Sequence, residues 1–396
     1  MSTALPINTM RADFVAAEST ETTTQVDRLL RIAVSGLRAM YRGADQDFPY
    51  TARGVPSPQG PRLQLEGSSL RYTAMAALGL SRTSQDVQRS VMGGGTAAEL
   101  AALVGKRALL QDDLGAVALA AWASAEAGGH GEDGLLATIE RRMRSSSALD
   151  TVSASWALTA AVAASDLSDT SALRSLAAER LLDSQGANGI FPHALPASSL
   201  GRLRSHVGCF ADQVYPVQAL SRLSALTGDM TALAAADACA QRICDLQGVS
   251  GQWWWHYDAR TGDVVERFPV YSVHQHAMAP MALFELRESG GRDHVHSVIK
   301  GLQWLDLHPE VLAPLIDDRL DVVWRKVGRR EPAKASRRVA AVLTAARPGA
   351  SLPGVDRLLP AVVVDHECRP YELGWLLYTW LAPGPARDGI TGPLSL

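Results

Sequence analysis

Ionisable and polar side chains stand at the starts of several strongly apolar, helix-like segments of the chain. An aspartate at such a position has an ordinary explanation, because it caps helix N-termini and its charge suits the helix dipole. Histidine and arginine lack that explanation, since a cation is disfavoured at this end of a helix. One site shared by the segment starts accounts for the acids and bases together. The residues concerned are Arg71, Tyr72, Asp112, Asp113, Asp150, Asp212, Gln213, Tyr215, His274, Gln275, His276, Glu367, Arg369 and Glu372.

The adjacency of Asp112 and Asp113 suggests an acid catalyst. Two like charges held close together raise the pKa of one carboxyl, which leaves a protonated acid at neutral pH. Such an acid can protonate an alkene or an ether oxygen. We predict Asp113, and after it Asp112, as the catalytic acid, with His274 and His276 tuning or reprotonating it. Glu372 is a further predicted catalytic residue.

Several other polar residues of this set, and two tryptophans, are predicted to bind substrate. The tryptophans belong to "GQWWWHYD" (251–258), which would point alternate side chains to opposite sides if it is extended. One set would pack between helices and the other would face the site. Aromatic rings there could stabilise a carbocation by cation–π contact or stack on a sugar, and a purely structural role is the alternative. The predicted binding residues are Tyr72, Asp150, Asp212, Tyr215, Trp254, Trp255, Glu367 and Arg369.

The segments that would position these residues are helical. The chain is 47% hydrophobic, and its apolar residues recur at helical spacing with little strand-like alternation. Helices that are apolar on nearly all sides are buried, and amphipathic helices lie outside them. Alternation of the two kinds predicts an all-α protein with an (α/α)6 toroid, in which the inner helix starts meet at one mouth. The predicted inner helices are 69–80, 111–123, 149–162, 211–223, 272–286 and 368–381, and outer helices include 22–42, 95–108, 135–145, 169–183 and 230–245.

We expect a single toroid domain over 21–385, with an N-terminal tail (1–20) and a C-terminal tail (386–396). A basic helical or loop insertion at 308–347 would precede the last inner helix, and it holds seven Arg or Lys residues from Arg325 to Arg338. Long loops within compact domains are often functional. The basic stretch is either a solvated helical face or a clamp for an anion such as a phosphate.

An internal repeat supports this organisation. "LLDSQGANGIF" (181–191) and "ICDLQGVSGQW" (243–253) share one pattern at an offset of 62 residues, and the same offset carries Gln213 onto Gln275. Two features that share one offset indicate duplicated helix–loop–helix units. We therefore expect Gln185 and Gln247 to occupy equivalent places.

These two stretches resemble the glutamine–tryptophan repeat of terpenoid cyclases and protein prenyltransferases, squalene-cyclase-like repeats in an (α/α)6 toroid; "KGLQWLDL" (300–307) is a weaker version. "LQDD" (110–113) is similar to the acidic DxDD motif of protonation-initiated (class II) terpene cyclases, with Leu110 at the first Asp. The resemblance implies a cyclase-like isomerase or lyase that protonates an isoprenoid-type substrate in the central pocket.

A carbohydrate-active toroid enzyme is the alternative interpretation: an epimerase, hydrolase or lyase. The many charged groups predicted at the mouth favour a hydroxyl-rich substrate, and the chain has only six Phe residues to line a hydrocarbon pocket. A non-catalytic scaffold that retains the ring is a third alternative. The sequence leaves the substrate class and the oligomeric state open.

Composition limits the other partners. The near-balanced charge (net −3) gives no reason to expect nucleic acid, and no apolar run approaches the roughly 20 residues of a transmembrane helix. The N-terminus lacks the layout of a signal peptide, so we expect a cytoplasmic protein with a small-molecule substrate. No cofactor and no metal ligand is predicted, although a divalent metal stays an alternative. "DDRLD" (317–321) matches a magnesium-binding pattern, but its charged surroundings indicate a surface coincidence.

Overall fold

The computed structural model describes residues 9–58, 60–332 and 334–381. Six helices in it form a closed inner ring: each packs against the next along the chain, and the sixth packs against the first. All six predicted apolar segments form these helices. In chain order, inner helices 1 to 6 are Leu70–Leu80, Leu114–Ala123, Thr151–Ala163, Ala211–Thr227, the π-turn His274–Met278 continued by Ala279–Glu288, and Pro370–Trp380.

Six further helices alternate with these along the chain and surround them. Outer helix 1 packs on inner helix 6, and every later outer helix packs on the inner helix that precedes it. The ring is therefore closed by the first outer helix, and the predicted α/α toroid is confirmed. Outer helices 1 to 6 are Thr20–Met40, Ala97–Ala108, Asp133–Ser145, Ser171–Leu182, Met230–Asp245 and Val295–Leu307.

Apolar patterning explains which helices lie inside. In inner helix 2, "LGAVALAAWA", every residue after the first is buried, and Asp113 caps the start by accepting from the Gly115 N–H. Outer helix 1 instead buries one stripe at helical spacing, which includes Val26, Leu29 and Leu37. A helix that is apolar on all sides must be surrounded by other helices, whereas a one-faced helix can meet water.

The internal repeat is visible as two equivalent loops. The Gln185 side-chain amide donates to the carbonyls of Gly189 (2.9 Å) and Ala235 (2.8 Å). The Gln247 amide makes the corresponding bonds to Gly251 (3.0 Å) and Ser297 (2.9 Å). Each loop is thereby tied to the next outer helix, and Gly189 and Gly251 both have positive φ, as glycine permits. The predicted equivalence of the two glutamines is confirmed.

A buried charge network joins the other ends of the inner helices. Glu126, just after inner helix 2, accepts hydrogen bonds from Arg222 (2.6 Å) and Arg82 (2.9 Å). Arg222 of inner helix 4 also binds Glu285 of inner helix 5 and Tyr378 of inner helix 6. This floor network therefore links five of the six inner helix ends and closes the ring opposite the mouth.

Short antiparallel strands surround the mouth, an arrangement that the helical sequence pattern does not predict. Several come directly before an inner helix and so fix where that helix starts; Leu149, before inner helix 3, pairs with Leu195. The sheets are Glu367–Cys368, Thr51–Val55 and Arg62–Glu66; Val322–Val323 and Ile316–Asp317; Val363–Asp365, Lys326–Gly328 and Val270–Tyr271; Leu149–Asp150 and Ala194–Leu195; and Val207–Cys209, His256–Asp258 and Val264–Glu266.

The insertion before inner helix 6 folds onto the rim of the mouth. Its strand Lys326–Gly328 pairs on one side with Val270–Tyr271, at the start of inner helix 5, and on the other with Val363–Asp365. Its main helix is Ala335–Ala346, which packs on strand Val264–Glu266. The remaining short helices of the described chain are Gln85–Met92, Ser124–Gly128 (π), Ala197–Leu200 (3-10) and Val355–Leu358.

The predicted N-terminal tail is partly structured. Residues Thr9–Glu18 form a helix, Val15 is buried, and Arg11 makes an ion pair of 2.5 Å with Glu288. This segment is therefore packed against the ring, where residues 1–20 were expected to be a tail. The predicted C-terminal tail (386–396) lies outside the described residues. Within the described residues, every helix is too short or too polar to cross a membrane.

Candidate active site

Arg71 and Asp113 form a charged pair on the rim between inner helices 1 and 2. Two guanidinium nitrogens of Arg71 contact the two carboxylate oxygens of Asp113, and its Nε–Oδ2 distance is 2.5 Å. Burial alone would raise the pKa of Asp113, but the hydrogen bonds and charge of Arg71 outweigh it, and that pKa lies below its ordinary value. Asp113 is therefore held as a carboxylate, which corrects the prediction of a protonated acid at this position.

Asp112, His276 and Trp254 lie away from the mouth, contrary to prediction. The Asp112 side chain is fully exposed, and its nearest ion-pair partner is Arg142 at 3.8 Å, so it does not face Asp113. His276 is completely buried, and a residue two positions after His274 faces a different side of the helical segment. Burial lowers the pKa of His276 to about 3. Trp254 lines a separate cleft of about 550 Å³ on the outside of the ring.

His193 and Asp212 form a second charged pair, between inner helices 3 and 4. The His193 Nδ1 lies 3.0 Å from Asp212 Oδ2, and the Cys209 N–H donates to the same carboxylate at 2.7 Å. Asp212 is fully buried, whereas the His193 side chain is 43% exposed. The hydrogen bond and charge of Asp212 raise the pKa of His193. The imidazole therefore keeps its proton to a higher pH than an unpaired histidine does, and Nε2 is the ring nitrogen that Asp212 does not bind.

Asp150 lies beside this pair. Strand Leu149–Asp150 pairs with Ala194–Leu195, and the His193 carbonyl accepts from the Thr151 N–H at 3.0 Å. One oxygen of Asp150 caps inner helix 3 by accepting from Ser153 (2.8 Å). Its second oxygen has no hydrogen-bond partner among the described residues. A free carboxylate oxygen and a protonatable imidazole therefore occupy the same part of the rim.

Sequence reasoning missed His193, although the repeat could have found it. The 62-residue offset that aligns the two loops carries His193 onto Trp255 and Asp212 onto His274. Trp255 and His274 also form a pair in the structure, with parallel rings whose centroids are 6.1 Å apart. The two repeats thus place side-chain pairs at equivalent positions, and of these two pairs the His193–Asp212 pair is the hydrogen-bonded acid and base.

The aromatic pair is electrically neutral. His274 is buried against Phe210 and Tyr271, with ring centroid distances of 4.4 and 5.0 Å. Burial lowers the pKa of His274 well below its ordinary value, and the charge of Arg325 adds to this effect. Trp255 is half-buried, and its predicted role in substrate binding stays a prediction. His274 therefore packs beside Trp255 as a neutral ring.

The start of inner helix 6 brings the remaining predicted residues together. Arg369 donates to the Tyr72 hydroxyl (2.7 Å), and its guanidinium lies 3.5 Å from Glu367. Glu372 accepts from the Arg369 backbone N–H at 3.1 Å and lies 3.5 Å from Arg325. Burial raises the pKa of Glu372 to about 7 against the opposing charges of the two arginines. Glu372 is almost completely enclosed, so it positions the arginines of this wall.

Aromatic residues form the floor of the mouth. Trp375 Nε1 donates to the Tyr215 hydroxyl at 2.9 Å, and the Tyr215 ring meets Trp156 edge-on at 5.1 Å. The Arg71 guanidinium lies 5.3 Å from the centroid of the Trp156 ring. Tyr215, which was predicted to bind substrate, is buried among these aromatic rings.

His193, Cys209 and Asp212 are also the residues that could hold a metal ion. Among the described residues, their ligand atoms form a group within 4.8 Å of one another. Burial, and then the charge of Asp212, raises the pKa of the Cys209 thiol well above its ordinary value. The hydrogen bonds of Asp212 with His193 and with the Cys209 N–H already explain why these three residues lie together. The absence of a cofactor stays a prediction.

Solved structures with the same fold include carbohydrate enzymes. An "unsaturated glucuronyl hydrolase specific for heparin" superposes with a TM-score of 0.55 and 12% identity, over 89% of this chain and 96% of that one. A possible member of the GH105 family from Klebsiella pneumoniae subsp. pneumoniae superposes with a TM-score of 0.55 and 8% identity, over 91% of this chain and 93% of that one. A possible GH105 member from Salmonella enterica serovar Paratyphi A superposes with a TM-score of 0.52 and 9% identity, over 89% of this chain and 92% of that one.

At such identities the likeness establishes the shared toroid fold. No protein-family model matches the sequence, and a search of curated proteins gives no significant match. The structural comparison gives no support to the terpenoid-cyclase assignment.

Proposed function

We propose that the protein is a carbohydrate-active enzyme that cleaves a glycosidic bond at the mouth of the toroid by general acid–base catalysis. The observation that carries this proposal is the His193–Asp212 pair, with its half-exposed imidazole beside Asp150. The fold similarity to an unsaturated glucuronyl hydrolase supports the same class of substrate.

His193 is the proposed proton donor. Asp212 fixes Nδ1 and stabilises the imidazolium, so the proton on Nε2 faces the substrate. That proton passes to the glycosidic oxygen as its bond to the sugar carbon breaks, which lets the leaving sugar depart as a neutral alcohol. In hydrolysis, the free oxygen of Asp150 takes a proton from the attacking water. In an elimination, the same oxygen takes a proton from the sugar ring.

An isoprenoid cyclase would need a protonated carboxylic acid at the mouth. Asp113, the residue first expected to fill that role, is kept charged by Arg71. The aromatic floor of Tyr215 and Trp156 would suit an apolar substrate, but a sugar ring can stack on it as well. The charged rim above this floor favours the hydroxyl-rich substrate.

An activity screen over neutral and acidic oligosaccharides tests the proposal. New reducing ends would report hydrolysis, and ultraviolet absorbance of an unsaturated sugar would report elimination. On an active substrate, His193→Gln should lower kcat by about 100- to 10,000-fold, the usual contribution of a positioned acid or base. His296→Gln is the matched control, because that side chain is 78% exposed on outer helix 6. Equal activity of the two variants would contradict the assigned role of His193.

A further inference from the structure

Both members of the acid–base pair are hydrogen-bonded to one short strand, Val207–Cys209. The Val207 carbonyl accepts from the His193 N–H at 3.2 Å. At the other end of the strand, the Cys209 N–H donates to the Asp212 carboxylate at 2.7 Å. A shift of this strand would therefore change how His193 and Asp212 face each other, and catalytic groups act only in a narrow range of geometry.

The helix of the insertion, Ala335–Ala346, packs on the same strand. Val207 belongs to a small apolar cluster of its own, with Val265 from the neighbouring sheet and Ala340 and Ala341 from the insertion helix. Alanine side chains bury little apolar area, so this cluster alone stabilises the docked helix only modestly. Polar contacts must supply much of the remaining attachment.

A buried hydrogen bond joins the insertion helix to the residue that precedes the strand. His206 Nε2 lies 2.8 Å from Thr344 Oγ1, and both side chains are almost completely buried. The Thr344 hydroxyl donates to the Ala340 carbonyl at 2.8 Å, so its oxygen is left to accept from the His206 Nε2–H. Without this acceptor the imidazole donor would be buried and unsatisfied, which is costly.

Arg260 makes a second connection to the same threonine. Its guanidinium donates to the Thr344 carbonyl at 2.8 Å and to Asp258 at 2.7 Å. Asp258 pairs directly with Val207 across the sheet. Two polar contacts from the sheet thus meet at Thr344, which is where the insertion helix is attached.

We propose that the insertion helix is a positioning element for catalysis: attached at Thr344, it fixes the strand that holds His193 and Asp212 together. This inference rests on the proposed function for the role of His193. Thr344 and His206 are then positioning residues, which act on the acid–base pair through strand Val207–Cys209. Turnover would depend on a segment whose own residues take no part in the proton transfers.

Amide hydrogen exchange, resolved by residue with NMR, tests the positioning role without a substrate. Thr344→Val removes the acceptor at nearly constant size. Exchange in the insertion helix should become about 10- to 100-fold faster, the range expected when a buried donor loses its acceptor. The His193 and Cys209 amides should become faster by a similar factor, whereas those of inner helix 2 should keep their wild-type rates. Thr344→Ser keeps the hydroxyl and should behave as wild type.

Two further variants complete the design. Thr24→Val is the matched control, because its hydroxyl also bonds to the carbonyl four residues earlier but is exposed on outer helix 1. Arg260→Lys keeps a positive charge beside Asp258 but loses the planar set of donors that reaches both partners, so it should give the same pattern as Thr344→Val. On a substrate of the wild type, Thr344→Val should lower kcat by up to about 100-fold with little change in KM.

Several results would overturn the proposal. The His193 and Cys209 amides could keep their wild-type rates while the insertion helix exchanges faster, which would show that the helix is docked independently of the pair. Exchange could instead rise equally in inner helix 2, or Thr344→Ser could behave as Thr344→Val does. Exchange as predicted, together with full activity of His193→Gln, would count against the proposed function and leave the positioning of the strand intact.

Discussion

Replacing Glu126 by glutamine removes the carboxylate at the centre of the floor network while keeping its shape. Glu126 accepts from Arg222 and Arg82, and also from Trp122 (2.7 Å) and Tyr378 (2.5 Å). Burial acts to raise its pKa, but the two arginines prevail and lower it from 4.5 to about 2. A difference of this size corresponds to about 3 kcal/mol of folding stability at neutral pH. Removing one partner of a buried ion pair typically costs about 3–5 kcal/mol.

The pH dependence of this effect has a definite sign. The pKa of Glu126 is lower in the folded chain than in the unfolded chain, so its stabilisation is fully present above pH 4.5. It is lost as the pH falls toward 2. The free energy of unfolding of Glu126→Gln should therefore lie about 3–5 kcal/mol below wild type at neutral pH, and the two values should converge in acid.

Urea unfolding followed by circular dichroism, at several pH values, measures both quantities. Glu140→Gln is a suitable control, because Glu140 makes a surface ion pair with Arg144 within outer helix 3. That change should shift the unfolding free energy by less than about 1 kcal/mol. The electrostatic explanation is wrong if Glu126→Gln lowers the free energy of unfolding no more than Glu140→Gln does. It is also wrong if the difference between wild type and Glu126→Gln does not shrink in acid.

Three other changes give separate checks. Gln185→Ala and Gln247→Ala should each cost about 1–3 kcal/mol, since each removes two hydrogen bonds of about 0.5–1.5 kcal/mol; clearly unequal losses on urea unfolding would deny their equivalence. Asp212→Asn should lower the pKa of His193, which an NMR titration measures. Because folding raises that pKa, the stability contributed by the pair is present at low pH and is lost as the pH rises through the folded-state pKa of His193. Asp112→Asn should leave turnover of any substrate unchanged, because its side chain faces solvent.

The toroid could be predicted because it depends on local patterns. All-round apolar segments such as "LGAVALAAWA" have to be buried, and their alternation with amphipathic helices leaves few other architectures. The equivalence of Gln185 and Gln247 was readable because a loop and its anchoring contacts were duplicated together. The contacts of Arg369 with Tyr72 and Glu367 were also within reach of prediction, because all three residues stand at the starts of inner helices.

The chemistry of individual site residues was harder to predict, because it depends on non-local partners. Adjacent aspartates suggested mutual repulsion, but Asp113 faces Arg71 from another helix and Asp112 faces solvent. Trp254 and Trp255 are neighbours on a locally extended segment, so both were equally good candidates for the site. His193 lies in a loop, and a strand pairing that no local pattern signals brings it beside Asp150.

A crystal structure of the protein with a bound oligosaccharide substrate tests the central claim most directly. We predict a sugar ring at the mouth, with a glycosidic oxygen within hydrogen-bond reach of His193 Nε2. Saccharide density confined to the outer cleft beside Trp254, with the mouth left to solvent, would contradict the placement of the active site.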